Sequence, residues 1–373
     1  MFNLKNFLKK YNLFMLFLIV IILWGFFGAI TGGGFLSSRN ISNLFRQMSI
    51  TGILSIGMSF VIITANIDLS VGSMLGLLGG IAGILLRTGL NSTLTIIITL
   101  IFGFIIGAIN GFWVAYRKVP AFIVTLAGLL AYRGVVLYIT KGQTLAVNNS
   151  NFNFIGNGNI PPLAAWILLL IFVLCYVLLN IKRIIKNENL QERRTLLINL
   201  ILTIAISFLF VFWMNGYRGI PLPVIVMLVI TFIASYVSDN TVYGRIVYSI
   251  GGNAEACKYS GINIKKYIFL VFTVNGIIAA FAGIINTARL ASAVPSTGLN
   301  SELDAIAACV IGGISLSGGT GAILGALLGS LIIASLNNGM SIIGLDSSWQ
   351  NIIKGIVLLL AVWMDIATKN KSN

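Results

Sequence analysis

Long apolar runs separated by short polar breaks extend along the whole chain. A helix crossing the hydrocarbon layer of roughly 30 Å needs about 20 apolar residues, at about 1.5 Å of rise each. Such runs fall near 13–30, 47–66, 70–86, 93–115, 120–139, 163–181, 195–214, 220–237, 267–287, 303–316, 322–340 and 349–366. The runs at 70–86 and 303–316 are short and glycine-rich, which suits a half-helix or a tilted piece. The pattern predicts an all-α polytopic membrane protein of about 10–12 transmembrane helices, twelve by direct count. Residues 1–373 read as a single transmembrane domain, with a helical hairpin at 163–214 and a polar loop at 239–266.

Composition narrows the class. The chain is 58% hydrophobic and 9% charged, with mean hydropathy +0.99. A soluble domain carries about 25% charged residues, so this chain has too few to cover a water-facing surface. That excludes a soluble enzyme and a disordered protein. The net charge of +15 does not point to nucleic acid, because the basic residues lie between apolar runs and so report orientation. With the N-terminus in the cytoplasm, the inside loops hold Lys5, Lys9 and Lys10; Arg117 and Lys118; Lys182, Arg183, Lys186, Arg193 and Arg194; Arg245, Lys258, Lys265 and Lys266; and Lys369 and Lys371. These are sixteen of the 24 Lys and Arg residues, against six outside: Arg39, Arg46, Arg87, Lys141, Arg218 and Arg289. Both termini are therefore expected in the cytoplasm. The first run is longer than a signal-peptide core and no A-x-A-like site follows it, so it reads as an uncleaved anchor.

Missing residue types remove several chemistries. The chain has no histidine, which excludes Ser-His-Asp and Cys-His catalysis, His-ligated zinc and a histidine pH switch. Cys175, Cys257 and Cys309 are far apart and show no metal-ligand spacing. No GxxxxGK[ST] run is present. No catalytic, metal or cofactor site is expected on this chain.

Many of the 40 glycines recur at four-residue spacing: Gly72/Gly76, Gly79/Gly83, Gly103/Gly107/Gly111 and Gly321/Gly325/Gly329. On a helix this spacing lets backbones approach closely, either within one subunit or at a seam between two. The stretch Ile67-Asp68-Leu69-Ser70-Val71-Gly72 also echoes Ile314-Ser315-Leu316-Ser317-Gly318-Gly319. Both read as a helix stop and restart on the same side of the membrane, which makes the echo a parallel repeat.

The polar loop carries a short helix of its own. Asn253 suits a cap, Glu255 the first turn and Gly261 the stop, with Ala254 and Ala256 keeping the helix slim. Such a helix fits a groove on a partner, or serves as an ordinary connector. The segment 243–263 resembles the coupling segment of sugar-type ABC importer permeases, in which an E-A-A-like helix docks on the ATPase. Further stretches resemble the ribose/xylose family of these permeases: Asn43 to Gln47, Ile67 to Ser73, Asn110-Gly111, Lys118 to Leu126, Glu302 to Ala308 and Val310 to Gly313. Trp113 to Pro120, Leu360 to Asp365 and the 163–214 hairpin are similar to the longer, xylose-type members. Asn66 departs from them, since those members tend to carry an acidic residue there.

The resemblance implies a permease in a bacterial cytoplasmic (inner) membrane that carries a monosaccharide, most nearly D-xylose. It implies a second permease copy, an ABC ATPase subunit holding ATP and Mg, and an extracytoplasmic sugar-binding protein. No nucleic-acid partner is implied. Gly252, Asn253, Ala254, Glu255, Ala256, Ser260 and Gly261 become the expected ATPase-coupling residues. Asp68, Asn110, Asn275, Asn337 and Asn338 are candidates for the sugar pathway, since neutral sugars suit uncharged donors and acceptors; structural capping and interhelical bonding are the alternatives. Arg289, Glu302 and Asp304 are candidates for docking the binding protein, with Glu302 and Asp304 expected to begin a helix near the outer face and Arg289 to pair with one of them. A tight sugar site is not expected. Other cargo (ribose, galactose, arabinose or a nucleoside) stays open. An ion-coupled secondary transporter is a remote alternative, for which only Arg133 and Asp68 offer mid-span charge, and a membrane enzyme lacks a carboxylate cluster.

Overall fold

The hydrophobic runs become helices, and polar caps set their starts. The computed structural model describes residues 4–186 and 190–370. Lys371 lies outside them, as do the side chains of Lys5, Lys9, Lys10, Lys182, Arg183, Lys186 and Lys369. The helices are α1 (Leu4–Ile30), α2 (Ser38–Ile63), α3 (Val71–Arg87), α4 (Ser92–Ala115), α5 (Ala121–Thr140), α6 (Ser150–Asn157), α7 (Pro162–Lys186), α8 (Leu190–Asn215), α9 (Leu222–Asn240), α10 (Val242–Gly252), α11 (Ala254–Tyr259), α12 (Ile264–Leu290), α13 (Ser301–Ile311), α14 (Ile323–Ile342) and α15 (Ser347–Asn370). Ser37, Asn91, Thr241, Asn253 and Asn263 each accept a bond from a backbone N–H in the first turn of α2, α4, α10, α11 and α12. Two pairs of two-residue strands close the connections: β1 (Leu145–Ala146) with β4 (Ser292–Ala293), and β2 (Asn159–Ile160) with β3 (Ile220–Pro221).

Seven helices among the described residues are long and apolar enough to cross a membrane, and four shorter apolar helices accompany them. α13, with 11 residues, is a half-helix. The protein is an all-α, multi-pass membrane protein. Hairpin α7–α8 occupies the predicted 163–214 region and presents mostly exposed apolar side chains. It is tied to the bundle at one end, where Trp213 packs edge-on against Trp24 at 5.5 Å and its Nε1 donates to the Leu36 carbonyl.

Contacts give the direction of each helix. Gly103, Gly107 and Gly111 of α4 face Gly276, Phe272 and Phe269 of α12 in turn, so the two run antiparallel. Gly325 and Gly329 of α14 face Gly312 and Ala308, so α13 and α14 also run antiparallel. In α2 and α14, Asn40 bonds Asn338, while Gly52 lies against Ser330. In α2 and α12, Arg46 lies near Arg289, while Gly57 lies against Asn275. The unit α2–α3–α4 is thus repeated, inverted, as α12–α13–α14. The glycine rows all serve packing within this one chain, and Gly321 stands before α14 in the connection rather than on the helix.

The echoing segments 67–72 and 314–319 do start from one face, with Ala65 at Gly318, but the larger unit repeats inverted rather than in parallel. Residues 64–70 leave the end of α2 and climb back beside it, because Ala65 lies at Gly318 while Asp68 bonds Asn275 at the level of Gly57, about 9 Å up the helix. The inverted counterpart of this segment is 291–300. It descends along α3 from Gly83, beside Ala293, past Gly76, beside Thr297, to Gly72, beside Gly298: about 16 Å. Each re-entrant segment feeds a half-helix start, and the starts of α3 and α13 meet inside the bundle, with Gly72 against Gly298 and Glu302. α1 runs parallel to α14, with Trp24 at Ser335 and Phe27 at Gly339. α15 runs parallel to α13, with Lys354 at Asp304 and Asp365 at Ser315. The start of α1 and the end of α15 therefore share one face with α10 and α11.

Candidate functional site

Four constellations carry the polar chemistry. The first lies on the face that holds the start of α1 and the end of α15. Gly252, Asn253, Ala254, Glu255, Ala256, Ser260 and Gly261 are all exposed, and Cys257 anchors α11 from beneath. Asn253 Oδ1 accepts from the Ala256 N–H at 2.9 Å, and Ser260 Oγ donates to the Ala256 carbonyl. Gly261 ends the turn with φ +77°, a value that favours glycine. Tyr259 is 89% exposed, an apolar ring with nothing of its own chain to cover it.

The base of α11 is keyed into the bundle. Gly251 packs on the Ile63 carbonyl and the Gly319 N–H, and Gly319 donates to Ile63 at 2.9 Å. Tyr248 Oη donates to the Gly321 carbonyl at 3.0 Å. Burial raises the Tyr248 phenol above its ordinary value, so it remains a donor at neutral pH. A displacement of α10 therefore acts on the end of α2 and on the α13–α14 connection together.

The second constellation is a sealed network at the start of α3. Asp68 Oδ1 accepts from Ser70 N at 2.8 Å and Ser70 Oγ at 2.6 Å, and Oδ2 accepts from Asn275 Nδ2 at 2.8 Å. Asn110 Nδ2 donates to Ser70 Oγ, and Tyr132 Oη donates to Asn110 Oδ1 at 2.6 Å. Asp68, Asn110 and Asn275 are buried. The network ties α3, α4, α5 and α12 around the re-entrant segment. Three of the expected pathway residues are thus brought together, with no surface open to a solute.

The third lies at the start of α13. Glu302 is buried against Gly72, inside the bundle rather than near an outer face, which corrects the expected position of this helix start. Arg133 Nη1 donates to the Pro295 and Thr297 carbonyls, both at 2.8 Å, and lies within electrostatic reach of Glu302. Asp304 pairs with Lys354 of α15 at 3.5 Å and accepts from Asn337 Nδ2 at 3.2 Å. Asn338 lies apart from this group, in a reciprocal amide pair with Asn40.

The fourth lies on the face opposite α11. Arg289 contacts neither Glu302 nor Asp304; its Nη2 donates to Asn286 Oδ1 at 3.2 Å. Arg46 donates to Asn159 Oδ1 at 2.7 Å and lies within electrostatic reach of both Arg289 and Arg218. The Nε atoms of Arg46 and Arg289 are buried without a partner among the described residues. Three guanidiniums thus gather with no acidic side chain among their recorded contacts.

Tyr132 and Tyr248 join these constellations although nothing in the sequence singles them out. Arg133 and Lys354 carry a faint signal, as the only basic residues inside the apolar runs. Among the described residues no cluster of His, Cys, Asp or Glu is fit for a metal.

Comparison with known proteins agrees with this architecture. The family model for branched-chain amino acid transport system permease components matches residues 40–362. The xylose transport system permease protein XylH of Haemophilus influenzae is 47% identical over 376 residues, covering 100% of each chain. The same protein of Escherichia coli is 46% identical, over 98% of this chain and 95% of its own. The ribose import permease RbsC of Escherichia coli is more distant, 36% identical over 89% of this chain and 87% of its own. No solved structure matches. With inverted half-helices, an exposed short helix whose base rests on the end of α2 and the α13–α14 connection, and relatives aligned over most or all of the chain, the chain belongs to the ABC importer permease family that includes the xylose and ribose permeases.

Proposed function

We propose that this chain is the permease subunit that carries D-xylose inward across the cytoplasmic membrane of a bacterium. The observation that carries the cargo is the 46–47% identity, end to end, with two xylose permeases, against 36% with a ribose permease. The face bearing α11 is the cytoplasmic one, in keeping with the excess of Lys and Arg in the loops of that side. A separate ABC ATPase chain binds ATP and Mg, and its groove receives Glu255 and the exposed small residues of α11. ATP-driven closure of the ATPase pulls α11, and Gly251 and Tyr248 pass the movement to the ends of α2 and α13. Two permease copies enclose the path.

On the opposite face an extracytoplasmic binding protein docks. The cluster of Arg46, Arg218 and Arg289 supports that reading, because guanidiniums held only by amides and a ring suit carboxylates of a partner. Glu302 and Asp304 lie too deep to share that role. Asp68, Asn110 and Asn275 brace the re-entrant segment and do not touch sugar, while the Asp304–Asn337–Lys354 group stands nearer a path.

ATP hydrolysis in liposomes tests the function. This chain, its ATPase and its binding protein are reconstituted and titrated with D-xylose, then with other pentoses and hexoses. Stimulation by xylose is expected. Stimulation by ribose instead overturns the cargo and keeps the importer, and no stimulation by any loaded binding protein, with assembly verified, overturns the importer.

A further inference from the structure

Lys354 and Asp304 form an ion pair between α13 and α15, partly buried among apolar side chains. Taking such a pair out of water costs more than its attraction returns, unless further hydrogen bonds complete it. Here completion is partial. The pair is held at 3.5 Å, Asp304 Oδ2 takes a bond from Asn337 at 3.2 Å, and Asn337 Oδ1 is buried with no partner among the described residues. An ammonium carries three donors, and the contact with Asp304 uses one of them. The pair is also reachable, with side chains 21% and 16% exposed.

The exposed side of the pair faces a cavity of about 110 Å³. Asn300, Asp304, Asn351 and Lys354 supply its polar lining, and Ile333 and Leu358 are among its apolar lining. The carboxylate accepts, the ammonium donates and the amides do both, beside an apolar surface. That combination fits the hydroxyls and C–H face of a neutral polyol. An ion is a poorer fit, because the two charges cancel and leave no net charge to hold one. The volume admits a few waters or one edge of a sugar ring, which makes a passing contact rather than a tight site.

We propose that Asp304, Lys354, Asn300 and Asn351 form a weak hydroxyl-binding step on the sugar path, between the start of α13 and α15. The proposal rests on the sugar-permease reading above and adds the residues that meet the cargo. A sugar hydroxyl takes the unused donors of Lys354 and the free lone pairs of Asp304, then leaves as α13 shifts.

The test uses the full complex in vesicles, with each sugar presented on saturated binding protein: D-xylose and a set of deoxyxyloses, each lacking one hydroxyl. Wild type is expected to carry one of the deoxy sugars about tenfold more slowly than xylose. Lys354→Gln and Asp304→Asn are expected to slow xylose and bring that ratio close to one. Asn351→Ala, on the wall outside the ion pair, should lower the ratio without changing the unfolding temperature. If all three variants keep the wild-type ratio, and the first two only lose stability, the pair is a brace between α13 and α15 and the proposal is overturned. Equal wild-type rates for every deoxy sugar overturn it as well. Failure of wild type to carry any sugar overturns the functional reading itself, a result distinct from the other two.

Discussion

Asp68 shows how a single residue can be legible in kind and hidden in role. An acidic side chain at a helix break inside apolar sequence must have partners, and its position before Ser70 suggests a cap. The partners come from α4, α5 and α12, which pack beside it only in three dimensions, so no spacing in the chain announces them. Three donors converge on its two oxygens. Asp68→Ala leaves them unpaired in a buried site, at a cost of about 1–3 kcal/mol each before relaxation. The expected result is a clear drop in unfolding temperature in detergent, with Asp68→Asn milder because one acceptor survives. An unchanged unfolding temperature with lost uptake would return Asp68 to the sugar path.

At the level of elements, the spanning helices were legible because lipid demands long apolar runs, and α11 because its cap and stop are local. The depth of the re-entrant segments was not. The break at 67–72 shows as a stop and restart, but residues 291–300 fall between apolar runs without periodicity, and their depth comes from packing along the glycine face of α3 and from the Arg133 clamp. The inverted repeat was hidden for a related reason, since its two units share geometry but not the residues at their breaks. Where sequence did show a packing device, its strength can be tested. Gly325 faces the Gly312 carbonyl so closely that a side chain there must part α13 from α14. Gly325→Leu is expected to destabilise by about 1–3 kcal/mol or more, read as lower yield and unfolding temperature; unchanged values would mean that the face yields easily. α11 is the opposite case, exposed and tolerant. Glu255→Arg should leave the unfolding temperature unchanged and weaken assembly with the ATPase about tenfold. Normal sugar-driven ATP hydrolysis in that variant counts against its coupling role.

The whole molecule sets two specialised faces at the ends of a pseudo-symmetric bundle. One carries α11, and through Gly251 and Tyr248 it reaches both helix breaks. The other carries Arg46, Arg218 and Arg289, which repel one another and whose recorded contacts include no acidic side chain. Such an arrangement is uncomfortable in the free permease, and a partner that brought carboxylates to it, as proposed above, would relieve it. Relief of this kind has a measurable signature. Attraction across a partly wet interface weakens as the Debye length falls from about 10 Å at 0.1 M salt to about 3 Å at 1 M. Binding of the sugar-loaded partner to the reconstituted permease should therefore weaken steeply with salt, mainly through slower association. Arg46→Ala combined with Arg289→Ala should lower the affinity at low salt and flatten the slope, so that the curves of variant and wild type converge near 1 M. Two parallel curves would mean that the guanidiniums stabilise the mouth of the bundle and that the partner docks elsewhere on that face.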